Sequence, residues 1–302
     1  MDKGSTEAIL LVDIGGLPCI KVVHPQGNAL IALQGAQLLE YTPAGQQPVI
    51  WLSEKVAFDR GKALRGGVPI CWPWFGAIEK NPSLVRACVG ENNAPAHGWV
   101  RDRPWLVDKV LVTEECAELV LNYPFAQKMH PSWSHSVDLQ VRFRVGQRLD
   151  IELKVVNNGS EKFSFSQALH TYFSVSHIDQ IEIEGLADLE YTDALQAWDR
   201  FVQPGSVRIS EETDRIYHQT PECIEIVDAG WQRRIRLESR RSKTCIVWNP
   251  WVAKARRLSQ FAEDAWQRML CIETANVLED AVTLLPGESC SLDLCVSLQS
   301  LA

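Results

Sequence analysis

Nowhere in its 302 residues does the sequence hold the run of ~18 apolar residues that a membrane helix requires. Its first residues, MDKGSTEAIL, lack the apolar segment of a secretory signal. No C-x-x-C pair occurs. The nine cysteines, at 19, 71, 88, 116, 223, 245, 271, 290 and 295, are odd in number and scattered, unlike a disulfide framework or a zinc site. Together these absences predict a soluble, cytoplasmic protein with reduced thiols. Positive charge is also scarce: 30 Lys and Arg against 38 Asp and Glu leave a net charge of -8. A broad nucleic-acid surface is therefore not expected, because phosphate backbones are bound through clustered cations. The densest basic run, RRSK at 240–243, reads as a solvated turn. There is no G-x-x-x-x-G-K-[ST] or G-x-G-x-x-G loop and no H-E-x-x-H, so nucleotide-binding and zinc-hydrolase readings lose support.

Helical periodicity is nearly absent too. Only KARRLSQFAEDAW and the stretch near 53–60 are modest helix candidates. What is present is alternation. Val137, Leu139, Val141, Phe143 and Val145 alternate with polar residues, and Leu149, Ile151, Leu153 and Val155 repeat the pattern after GQR, which is the signature of two half-buried strands in a hairpin. NNGSEK then turns the chain into a strand carrying Phe163 and Phe165 on one face. Short β-rich runs such as LPCIKVVH, AELVLNY, CIEIVDA, TCIVW and RMLCIE recur along the whole chain, separated by Gly, Pro, Asn and Asp clusters. No repeat and no linker divides them. The expectation is an all-β fold of antiparallel sheets with few short helices, forming one domain over residues 1–302.

Pleat geometry sorts the side chains further. Continuing the alternation through KFSFSQALHTYF puts Phe163, Phe165 and Leu169 on one side and Ser164, Ser166, Ala168 and His170 on the other. In RMLCIETANV the same rule separates Leu270 and Ile272 from Cys271 and Glu273. His170 and Glu273 are thus each an ionisable group held among apolar neighbours at a strand end. Such a pair could exchange protons near neutrality, or could be a structural ion pair, and with 103 positions between them only the fold can bring them together. Of the seven histidines (24, 97, 130, 135, 170, 177 and 218), His170 and His97 have the most suggestive surroundings.

Two loops concentrate rigid groups beside arginine. RGGVPICWPWFG, residues 65–76, joins Arg65 to two glycines, two prolines and three aromatics; PAHGWVRDRPW, residues 95–105, joins His97 and Arg101 to Gly98, Trp99 and Trp105. Aromatics in such loops can simply seal the core. They can also wall a site in which a guanidinium fork holds an anion and a ring stacks on a ligand. VWNPWVAKA at 247–255 is a third loop of this kind, for which a sealed N-P turn suffices.

LRGGVPICWPWFG, AHGWVRDRPW, ALHTYFSV, YTDAL, VWNPWVAKA and MLCIETANV, in that order between residues 64 and 277, resemble the hexose-6-phosphate mutarotases, a branch of the aldose 1-epimerase family. The resemblance implies a galactose-mutarotase-like β-sandwich that interconverts the α and β anomers of a hexose 6-phosphate, acting as a monomer on a small molecule without a cofactor. It implies His170 as the general acid on the ring oxygen and Glu273 as the general base on the anomeric hydroxyl. Arg65 and Arg101 would hold the sugar phosphate, Asp193 would bond a sugar hydroxyl or orient the acid, and His97 would line the pocket. Ala96 stands where many relatives carry Gln, SQF at 259–261 where SDF is usual, and ETANV where EPG is common. Two alternatives stay open: an aldose 1-epimerase of unphosphorylated sugars, and a non-catalytic carbohydrate-binding protein.

Overall fold

A computed structural model describes residues 8–90, 94–124 and 132–301; His130 and the first seven residues lie outside them. Three antiparallel sheets dominate. An outer sheet runs in the order Ile181–Glu184, Cys223–Asp228, Arg233–Glu238, Ser289–Ser300, Leu149–Asn157, Val137–Gly146, Cys116–Tyr123, Leu106–Val112. A second large sheet, here the site sheet, runs Arg200–Val202, Glu190–Asp193, Thr213–His218, Thr244–Asn249, Met269–Asn276, Gln167–Leu169, Ile70–Cys71, with Tyr172–Ser174 also paired to Met269–Asn276. The third is a meander of four strands from Ala8–Ile14 to Gln37–Pro43.

The expected hairpin is present, with Val137 opposite Asn157 and Val145 opposite Leu149. Its odd-numbered apolar residues are buried and its polar residues, Asn157 at the strand end apart, lie at or near the surface, as a sheet with one wet face requires. The strand after NNGSEK leaves this sheet, because Phe163–Phe165 pairs instead with Val282–Leu284. Every residue of Thr244–Asn249 and Met269–Asn276 is buried. These strands lie between two apolar layers. On one side Val247, Leu270, Ile272, Leu169 and Phe173 join Val141, Phe143, Ile151, Leu153 and Leu294 in the main core. On the other side Ile216, Ile246, Trp248, Cys271, Ala168 and Tyr172 form a smaller cluster. Each fully buried Leu, Ile, Val or Phe contributes about 1.5–3 kcal/mol, so the main core fixes the register of the site sheet from behind.

The helix expectations are corrected in part. Residues 53–60 are irregular, and KARRLSQFAEDAW contributes only the end of a five-residue helix, Trp251–Ala255, and the start of a 3-10 turn, Ala265–Gln267. Gln260 explains both. It has φ 56, incompatible with helix. Its side chain accepts from Ala57 N (2.9 Å) and donates to Ala63 O (3.3 Å), while its carbonyl accepts from Ser53 Oγ (2.7 Å), so tertiary bonds set the path of the 53–63 segment. The longest helix, Ser83–Val89, begins after Pro82, buries Val85 and Val89, and ends at Gly90 with φ 69. Among the described residues no helix is long and apolar enough to cross a membrane.

Two buried charges tie the layers together. Arg233 and Asp228, 3% and 0% exposed, stand 3.6 Å apart. The Arg233 guanidinium donates to the carbonyls of Gln47, Pro48 and Ser174, which joins the outer sheet to the site sheet and to the loop that follows the meander. Asp228 accepts from the backbone N–H of Ser176 at 3.0 Å and from its hydroxyl.

Candidate active site

On the face of the site sheet away from the main core, the ladders place two rows of side chains. Asp214 lies opposite Trp248, Trp248 opposite Cys271, and Cys271 opposite Tyr172. Two residues along, Ile216 lies opposite Ile246, and Ile246 opposite Glu273. The same strand pairing that sets Leu169 against Thr274 carries His170 to the end of this second row. A cavity of about 420 Å³ opens over both rows. His170, Tyr172, Glu273, Asp214 and Trp248 line it from the sheet, and Arg65, Phe75, His97, Lys80 and Trp198 line it from surrounding loops.

His170 Nε2 stands 3.4 Å from Glu273 Oε1, so the alternation read along the two strands does bring these residues together. Both are almost wholly enclosed, and His170 Nδ1 and Glu273 Oε2 are buried without hydrogen-bond partners. Burial pushes His170 well below the ordinary imidazole range, with His97 and Arg65 adding to it. Burial also pushes Glu273 well above the carboxylate range, reinforced by the negative charge of Asp214. Burial thus favours the uncharged imidazole and the uncharged carboxyl.

The remaining rings hold this pair in place. Tyr172 stacks on His170 with centroids 4.8 Å apart and planes 6° from parallel, and Arg65 Nη1 donates to the Tyr172 hydroxyl at 3.4 Å. His97 meets His170 edge-on at 5.5 Å. His97 Nδ1 accepts from the backbone N–H of Gly76 at 3.2 Å, and burial pushes its ring down to about 3. The ring is thus neutral, with its one proton on Nε2 as a donor.

The loop RGGVPICWPWFG is laced to everything around it. Pro69 O accepts from His170 N, Pro73 O from Ser166 N, Trp72 O from Trp99 N, and Gly76 O from His97 N, all within 2.9–3.1 Å. Gly98 has φ +78, and a Cβ there would fall 1.9 Å from Trp72 O, so only glycine lets the His97 loop lie on this one. The structure divides the aromatics of these loops. Trp72, Trp74, Trp99 and Trp105 are core, whereas Phe75 faces the cavity.

Two site expectations fall elsewhere. Arg101 does not line the cavity; its Nη2 donates to Ala96 O at 2.9 Å, closing the loop that carries His97. Asp193 is 3% exposed and also outside the lining. Its carboxylate accepts from Leu195 N (2.9 Å) and Gln196 Nε2 (3.3 Å) and stands 3.5 Å from Arg215 Nε, so it shapes the turn after its own strand. The cavity carboxylate besides Glu273 is Asp214, pushed up to about 6 by burial, which Lys254 partly offsets. Alternation in TDRIYH, with Asp214 and Ile216 on one face, was the signal for it.

The aldose 1-epimerase family model matches residues 18–296. A protein of Escherichia coli (strain K12) named "Putative glucose-6-phosphate 1-epimerase" is 33% identical over 263 residues, 87% of this chain and 84% of that one. One of the same name from Cenchrus ciliaris is 32% identical over 272 residues, 86% of this chain and 78% of its own. A crystal structure of a Salmonella typhimurium protein described as "a putative mutarotase" superposes with a TM-score of 0.86 at 28% identity, covering 97% of both chains. The family match over nearly the whole length, joined to the fold and to a His–Glu pair at the floor of a sugar-sized cavity, places this chain in the aldose 1-epimerase family.

Proposed function

We propose that the chain interconverts the α and β anomers of a hexose 6-phosphate, glucose 6-phosphate foremost, with His170 as general acid and Glu273 as general base. One observation carries this reading: the buried, incompletely bonded imidazole and carboxylate, 3.4 Å apart at the cavity floor. Ring opening needs a proton given to O5 and another taken from the hydroxyl on C1. These oxygens share one carbon, so the two groups must stand side by side.

The proton count closes. With imidazolium and carboxylate facing the closed ring, His170 Nε2–H donates to O5, Glu273 accepts the O1 proton, the C1–O5 bond breaks and an aldehyde forms. His170 is then neutral and Glu273 protonated, the arrangement that burial favours in the empty cavity. Rotation about C1–C2 presents the other face of the aldehyde. Closure returns the O5 proton to His170 and the Glu273 proton to O1, and the enzyme is restored. The neutral His97 donates Nε2–H to a sugar oxygen, Asp214 accepts from a hydroxyl, and Trp248 and Phe75 flank the ring. Arg65, which makes no ion pair among the described residues, supplies fixed positive charge. The nine free cysteines suit a reducing cytoplasm, and the core shared by the large sheets suits a single-domain monomer.

Saturation-transfer NMR on glucose 6-phosphate tests the assignment. Wild type should accelerate anomer exchange, and His170→Ala and Glu273→Ala should each lose roughly 10²- to 10⁴-fold. Exchange at the wild-type rate in both variants would remove the acid–base roles; exchange at the spontaneous rate in wild type would leave a binding protein.

A further inference from the structure

The densest basic run of the sequence, RRSK at 240–243, lies in the turn between Arg233–Glu238 and Thr244–Asn249. Its arginines are solvated, as expected, but the turn itself is anchored to the strand that carries Glu273 and to the turn after it. Arg241 O accepts from Asn276 Nδ2 at 2.9 Å, Ser242 Oγ donates to Ala275 O at 2.6 Å, and Lys243 N donates to Asp280 Oδ2 at 2.9 Å. Both guanidinium stems therefore leave a backbone of fixed course.

A second basic group comes from the hairpin. Arg142 and Arg144 stand on the wet face of Val137–Gly146, and Arg148 follows in the turn before Leu149. With Arg240 and Arg241 they line one surface pocket of about 290 Å³ on the outer face of the outer sheet. Val141, Phe143 and Val145, which alternate with Arg142 and Arg144, belong to the main core, so this pocket and the cavity over His170 lie on opposite sides of that core.

The charges in the pocket do not cancel. Five guanidinium groups meet three carboxylates, Asp150, Glu152 and Asp293. Glu152 is shared, pairing with Arg142 and, at 3.2 Å, with Arg241; Arg148 holds Asp150 at 3.1 Å. Arg144 and Arg240 are the loosely held members. Among the described residues each has one ion-pair partner, at 3.9 Å and outside the pocket: Glu118, which Lys109 also holds at 3.0 Å, and Glu222. Arg144 also bonds the Cys116 thiol. Exposed pairs at that separation are weak and give way to a better anion. In a chain of net charge -8 such an excess is local, and the acidic residues at its margin keep long polyanions away.

The ladders set the span. Arg144 lies opposite Asp150, Asp150 opposite Cys295, and Cys295 opposite Glu238, two residues before Arg240. The two loosely held arginines thus approach the pocket from the two ends of one row. We propose that this pocket is a second anion site, separate from the cavity, that takes the diphosphate group of a small molecule, one phosphate held by Arg144 and the other by Arg240. Tetrahedral phosphates offer oxygens to guanidinium forks arriving from several directions, whereas a carboxylate offers two in one plane.

The test is calorimetric titration with inorganic pyrophosphate, and separately with inorganic phosphate, of wild type, Arg65→Met, Arg240→Gln and the double variant Arg144→Gln/Arg240→Gln. Wild type and Arg65→Met should bind pyrophosphate alike at this site, and the double variant roughly tenfold to a hundredfold more weakly. Arg240→Gln, whose side chain is 79% exposed, keeps the fold and should lose part of the affinity. Inorganic phosphate should bind at least about tenfold more weakly than pyrophosphate. Undiminished binding in both Gln variants, or its loss in Arg65→Met alone, would place the anion in the cavity and overturn the proposal. So would the absence of binding to wild type at millimolar pyrophosphate, and equal affinity for the two anions would overturn the diphosphate assignment.

Discussion

Glu273 reaches His170 through one oxygen, at 3.4 Å, and leaves its second oxygen buried with no hydrogen-bond partner. A carboxyl group so placed costs the fold stability when it ionises. Because its folded-state pKa is raised, the folded protein is most favoured below the ordinary carboxyl range and loses stability as pH climbs toward the folded value. Glu273→Gln, neutral at every pH, should therefore melt a few degrees above wild type at pH 8, with the gap closing near pH 4, and be inactive throughout. Thermal unfolding of both proteins across that range checks it; a Gln variant less stable than wild type at pH 8 would show that the ionised carboxylate is well solvated.

Asp214 is pushed up to about 6, so it gains its charge as pH rises through that value, and its charge increases the proton affinity of Glu273. Asp214→Asn should lower kcat/KM roughly tenfold to a hundredfold and flatten the acid limb of the pH–rate profile near 6. A profile unchanged in shape would mean that Asp214 does not couple to the reaction.

Asp193 distinguishes two roles by kinetics. As the residue that shapes the Trp198 turn, its replacement by Ala should cost about 1 kcal/mol of stability and raise KM with kcat little changed. A fall in kcat at constant KM would instead place its carboxylate on the reacting sugar.

Arg233 concerns the scaffold. Burial and the loss of water hold its guanidinium down to about 10 despite Asp228, yet its three carbonyl bonds tie the outer sheet to the site sheet and to the loop after the meander. Arg233→Met leaves Asp228 buried without its cation and should cost about 3–5 kcal/mol in urea unfolding. A loss below about 1 kcal/mol would mean water replaces the guanidinium freely.

Much of this was legible beforehand, for physical reasons that also mark the limits. Strict alternation in Val137–Val145 and Leu149–Val155 located the hairpin, since a strand with one wet face writes its orientation into every second residue. The same alternation put His170 and Glu273 on the side of their strands opposite Leu169 and Ile272, and the register of the site sheet did the rest. Asp193 and Asp214 show where the reading stopped. Alternation in TDRIYH carries Asp214 to the cavity face, whereas the carboxylate of Asp193 is taken up by bonds within its own turn, and such bonds are not visible in residue order. Trp198 escaped for a related reason, because two left-handed residues in a row place its indole at the cavity. The helix expected near 53–60 failed because Gln260, some 200 positions away, sets that segment's path.

The floor of the cavity is borne by strands locked between two apolar layers, while its rim is borne by turns that touch solvent. Substitutions at the rim can thus reshape the mouth of the cavity while the imidazole and carboxylate at its floor keep their places.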